Sequence, residues 1–95
     1  MTHSTDINKV IATIEDKEKL LKKWRKHYEL EKAIIEKIIN RRKDLNITQL
    51  ELSKLTGLKQ PAIARIEKQV NSVTLTTLIT IIDELDLKLE LVPKR

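Results

Sequence analysis

The chain has no cysteine and no phenylalanine, and its 95 residues include one glycine, two prolines, one tryptophan and one tyrosine. Without cysteine there is no disulfide framework and no thiolate to act as nucleophile or ligand. The two histidines, His3 and His27, are too few and too separated to suggest a zinc cluster, so no metal is expected. Scarce glycine and proline argue against a sheet fold with many tight turns. No apolar run approaches the ~20 residues that a membrane span needs. The opening MTHSTD lacks the basic-then-apolar order of a signal peptide. The expectation is a cytoplasmic protein that does not contact a membrane.

What is present favours helices around one core. Charged residues make up 35% and the hydrophobic set 40% of a chain short enough for a single compact domain. The net charge of +5 is unevenly spread, with twelve Lys/Arg against eight Asp/Glu in residues 1 to 44 and seven against six in the remainder. The Lys-rich run LLKKWRK (20 to 26) could attract phosphate, although such runs are usually the solvated face of a helix.

Ser4 and Thr5 are plausible N-caps for a short helix in which Ile7, Val10, Ile11 and Ile14 fall on one stripe. From Asp16 to Leu45 there is no Gly or Pro, and Leu21, Trp24, Tyr28, Ile35, Ile38, Ile39 and Arg42 form a second stripe, on one long helix or two abutting ones. Trp24 and Tyr28, four apart, share a face where they either fill a core or anchor a partner. Thr48 with Glu51 is a capping box opening a helix through Leu50, Leu52 and Leu55, which Gly57 ends. A further helix is expected from about Gln60 to Gln69 with Ile63 and Ile66 inward, and another, capped by Thr74, through Leu75, Leu78, Ile79, Ile82 and Leu85. The tail then alternates, with Leu87, Leu89 and Leu91 separated by Lys88 and Glu90, and Pro93 ends that strand pattern. A lone strand cannot satisfy its own backbone. Pairing with a second copy, with Lys88 facing the other copy's Glu90, would satisfy it.

Two short helices joined by a Gly-containing turn make a helix-turn-helix, whose second helix lies in the DNA major groove. The stretch ITQLELSKLTGLKQPAIARIEK (47 to 68) resembles that motif in the repressor-like XRE or Cro-type family, on the Thr-Gln start, Leu52, Gly57-Leu58, Gln60, Ile63 and Ile66-Glu67. With the later TLTTLITIIDELDLKLELVP and the helical N-terminal segment, the chain looks like a HigA-type antitoxin. The resemblance implies a small dimeric repressor that binds a palindromic operator in double-stranded DNA, represses its own operon and neutralises a HigB/RelE-like ribonuclease toxin. The fold expected is all-α. It comprises a four- to five-helix repressor-like domain (28 to 85), an N-terminal helical extension (1 to 27) and a short C-terminal β-strand used in dimerisation (86 to 95).

On that alignment Gln60 and Arg65 are expected to read bases, Gln to adenine and Arg to guanine. Gln49, beside a helix N-terminus, matches the family's phosphate-contacting amide. Lys68, Asn71 and Ser72 are expected on the same backbone, although ordinary surface polarity also accounts for them. Lys59 departs from the family pattern by standing where Ser or Thr usually caps the helix; it exchanges a cap for a cation that reaches phosphate or a base. Related domains commonly place a salt bridge at the positions of Arg42 and Glu67. Toxin contact is expected from Ile7, Val10, Ile11, Ile14 and Trp24, and dimerisation from Leu87, Lys88, Leu89, Glu90 and Leu91. The alternative is a stand-alone repressor without a toxin, whose N-terminal helices enlarge its own core or dimer interface. An enzyme is not expected, since the sequence offers no nucleophile with a nearby base, no phosphate loop and no cofactor signature.

Overall fold

A computed structural model describes residues 7–70 and 72–94, with side chains described from Thr13 onward. Ser4 and Thr5, proposed as caps, and Asn71, proposed at the DNA backbone, lie outside the described residues. The side chains of Ile7, Val10 and Ile11 do as well. Among the described residues there are four helices: α1 (Ile7–Asp44), α2 (Gln49–Thr56), α3 (Gln60–Glu67) and α4 (Leu75–Glu84). The chain divides into two units, the first ending at Glu31 and the second beginning at Lys32.

The segment from Asp16 to Asp44 is part of one helix, and α1 takes in the expected N-terminal helix as well. Nothing in its sequence interrupts the backbone ladder, because no Gly or Pro precedes Gly57. Its last turn carries Arg41, Arg42 and Lys43, cations that complement the negative end of the helix dipole. In the first unit all the described side chains are exposed. The alternative in which Trp24 and Tyr28 fill a core is thereby overturned, since they are 61% and 49% exposed. Their shared face is apolar, but it has nothing in this unit to pack against.

The core belongs to the second unit and is aliphatic throughout. Ile35 and Ile38 from α1, Leu52 from α2, Ile63 and Ile66 from α3, and Ile81, Ile82 and Leu85 at α4 are buried together. The helical spacing marks all of these except Ile81, while Leu50, Leu55, Leu75 and Ile79 of the expected stripes are exposed instead; α2 packs against both α3 and α4.

Each helix is followed within two residues by one in the left-handed region: Asn46 (φ 56°), Gly57 (φ 77°), Gln69 (φ 55°) and Asp86 (φ 54°). Backbone N–H groups then fold back on the last turn, Ile47 N to Arg42 O at 2.9 Å, Val70 N to Arg65 O at 3.1 Å and Leu87 N to Ile82 O at 3.0 Å. With one glycine in the chain, three of the four reversals are made by residues that tolerate the conformation less well.

The strand expected over Leu87–Leu91 is not formed. Residues 87–94 carry no regular secondary structure, and Lys88 Nζ lies 3.9 Å from Glu90 Oε2 of its own chain. The physical reason is the one that made the strand conditional: a ladder needs a second strand, and the single chain supplies none among its described residues.

Candidate nucleic-acid interface

Helix α2 starts on a closed capping box. Glu51 N donates to Thr48 Oγ1 (3.1 Å), and Thr48 N donates to Glu51 Oε1 (3.3 Å). It stops at Gly57, whose N–H donates to Ser53 O (2.9 Å). The turn is then tied to α2 by its hydroxyls. Ser53 Oγ donates to Leu58 O, and Thr56 Oγ1 donates to Leu52 O at 2.8 Å while accepting from Leu58 N at 3.2 Å. These bonds fix where the next helix begins.

Helix α3 begins without a side-chain cap. Lys59 occupies the N-cap position with no hydrogen bond from its side chain. Its carbonyl accepts from Ala62 N (2.9 Å) and Ile63 N (3.2 Å). Pro61 stands in the first turn, where a missing N–H removes no intrahelical bond and the fixed φ suits the helix. The Lys59 ammonium is thus left at the exposed corner of the motif.

Behind that corner four polar side chains form one chain of hydrogen bonds. Arg42 grips Glu67 with two donors, Nε to Oε2 at 2.7 Å and Nη2 to Oε1 at 2.9 Å, while its Nη1 donates to Ile47 O at 2.9 Å. Glu67 Oε1 accepts a second bond from Gln49 Nε2 (2.9 Å), and Gln49 Oε1 accepts from Gln60 Nε2 (2.9 Å). The side chains of Arg42 and Glu67 are 11% and 8% exposed, so the pair is a largely desolvated, bidentate one. Such a pair orients the elements it joins more than it stabilises them. Here it ties α1 to the end of α3, and the two amides carry the link on to the first residue of α3.

The structure therefore brings Arg42, Gln49, Gln60 and Glu67 together. Lys59, Arg65, Lys68 and Ser72 are exposed. Arg65 and Ser72 also line an open cleft with Ala62, Ile66, Val73, Thr74 and Thr77, between α3 and the start of α4. Sequence reasoning missed the bond that Gln60 donates to Gln49 and the double use of Glu67. Gln49 and Gln60 are the first residues of α2 and α3, but no local signal pairs their amides.

A family model described as helix-turn-helix matches residues 38–92, more than half of the chain. The chain belongs to the helix-turn-helix family. The match spans the last turns of α1, all of α2, α3 and α4, and most of the tail. Over 63 residues the chain is 43% identical to an uncharacterized HTH-type transcriptional regulator of Haemophilus influenzae, a stretch covering 66% of this chain and 64% of the relative. The chain thus spans a little less than two thirds of the length of the relative it matches. No solved structure matches. Among the described residues no helix is long and apolar enough to cross a membrane, and no group of His, Asp and Glu is arranged to hold a metal ion.

Proposed function

We propose that this helix-turn-helix chain is a sequence-specific DNA-binding transcriptional repressor in which α3 is the recognition helix. The observation that carries this is the hydrogen-bond chain ending on Gln60. It holds the first residue of α3 in place from inside the protein, while Lys59, Arg65 and Lys68 remain exposed beside it. In this family of motifs the first turn of the second helix meets base edges. Gln60 and Arg65 then read bases. Gln49 contacts phosphate from the start of α2, where backbone N–H groups favour the same anion. Lys59, Lys68, Asn71 and Ser72 hold the DNA backbone. Two recognition helices on a two-fold operator require a homodimer. Leu89 and Leu91 are exposed, and the tail from Leu87 through Lys88, Leu89, Glu90 to Leu91 is one segment that could join the copies. The test is selection of binding sites from random duplexes with the wild type and Arg65→Ala. The expected result is a two-fold site in which one symmetry-related base preference is lost. An unselective wild type would refute the reading.

The resemblance to HigA-type antitoxins supports a narrower second reading, in which the repressor also neutralises a HigB/RelE-like toxin through its N-terminal extension. Exposed Ile14 and Trp24 favour it, with Ile7, Val10 and Ile11 on the same helix. Co-expression with the product of the neighbouring reading frame tests it. Deletion of residues 1 to 27 should abolish neutralisation and keep DNA binding, and unchanged neutralisation would sink this reading.

A further inference from the structure

Every described side chain of α1 from Thr13 to Ala33 is exposed. Among them Ile14, Leu21, Trp24 and Tyr28 are 51%, 57%, 61% and 49% exposed. A helix by itself is marginal in water and draws most of its stability from covering an apolar face. This face has no cover within its own unit, and its sequence indicates what would fit it.

Ile14, Leu21 and Tyr28 recur every seven residues, with Lys17, Trp24 and Glu31 recurring three places later. These are the two seam positions of a heptad, and Glu18 and Arg25 lie on one flank while Leu20 and His27 lie on the other. A parallel pair in register would stack Lys17 on the second copy's Lys17 and Glu31 on its Glu31, with both like-charge contacts inside the seam. Antiparallel pairs avoid this, and their flanks choose among registers. One heptad to one side sets Glu18 against Glu18; one heptad to the other sets Arg25 against Arg25. The register between them sets Glu18 against the second copy's Arg25 twice over, by symmetry, and centres the seam on Leu21 against Trp24.

We infer that residues 14–31 of α1 pair antiparallel with the same residues of a second copy, in that register. The contact is isologous, as a two-fold dimer requires. Lys17 lies across from the second copy's Tyr28, where its alkyl stem covers the ring and its ammonium reaches water. Leu20 meets His27. Ile14 closes each end against Glu31, whose carboxylate points out of the seam. The inference stands apart from DNA recognition, because the described motif lies wholly in the second unit.

The test is a charge exchange in the full chain, read as the dimer dissociation constant by sedimentation equilibrium. Glu18→Arg and Arg25→Glu should each weaken the dimer at least about tenfold, since each replaces two attractive contacts by two repulsive ones. The double variant Glu18→Arg/Arg25→Glu should return to within about threefold of the wild type. Parallel pairing predicts no such rescue, because Glu18 and Arg25 then face Thr13 and Leu20. A double variant no better than the singles overturns the register. A wild-type chain that stays monomeric up to its solubility limit overturns the pairing altogether. So does a dimer that ignores both single exchanges but is lost in Leu89→Lys, which would locate the contact in the tail. A monomer whose α1 is covered by a different protein, with that complex lost in Trp24→Ala, would also overturn it.

Discussion

Gly57 and Gln69 hold the same backbone conformation for different reasons. At Gly57 nothing lies within 4 Å of where a Cβ would stand, so Gly57→Ala meets no clash, only the φ of +77°. The left-handed conformation costs a non-glycine residue about 1 kcal/mol, and denaturant unfolding should show a loss of that size. Gln69 makes the opposite case. Its φ is 55°, and its Nε2 is buried without a hydrogen-bond partner among the described residues. Gln69→Gly relieves both and should stabilise the fold by about 1 kcal/mol in the same assay. The Arg42–Glu67 pair sets a third test at this scale. Glu67→Ala leaves a guanidinium largely buried and unpaired and should destabilise by about 3 kcal/mol or more, whereas Arg42→Met with Glu67→Leu should be close to neutral in stability. If Glu67 positions the recognition helix through Gln49, both variants should bind operator more weakly, and full affinity in the stable double variant would remove that role.

Of α2, α3 and α4, only α3 begins without a side-chain cap. It is eight residues long, its N-cap residue makes no side-chain bond, and its first turn relies on Pro61 and on the hydroxyl-tied turn before it. Lys59→Ser supplies the missing cap and should stabilise the protein by about 1 kcal/mol. It also removes an exposed ammonium from the corner proposed to meet DNA, so operator affinity should fall as stability rises. Tighter binding in an equilibrium titration would show that Lys59 is not there for DNA. Within α1 the residues that decide its fate are Ile35, Ile38 and Arg42, which the second unit buries. The same helical spacing further up yields Leu21, Trp24 and Tyr28, which are exposed.

For the whole molecule, the division after Glu31 predicts that residues 32–95 fold alone. Among the described residues, all eight buried apolar side chains fall there, so the fragment should unfold cooperatively, at a denaturant midpoint near that of the full chain. A non-cooperative fragment would mean that the first unit contributes to the core. Binding to DNA should follow the counterion rule: Lys68→Ala weakens specific and non-specific duplexes alike and lowers the salt slope by about 1.

The elements of the second unit were legible because each carries local chemistry. Thr48 with Glu51 marks the start of α2, Gly57 its end, Pro61 the first turn of α3 and Thr74 the start of α4, and apolar spacing marks Leu52, Ile63, Ile66, Ile82 and Leu85 as inward. Such signals act within one or two helical turns, which is the range over which sequence alone constrains a backbone. The link from Gln49 to Gln60, the second bond on Glu67 and the exposure of Trp24 are not local. An amide can bond to water, to DNA or to another amide with similar energy, and an apolar stripe reads the same whether or not anything covers it. The sequence by itself determined where α2, α3 and α4 start and which stripe of each is apolar. Only the tertiary structure decided that Gln49 bonds to both Glu67 and Gln60, and which apolar face is left open, because both depend on what lies across space from a residue.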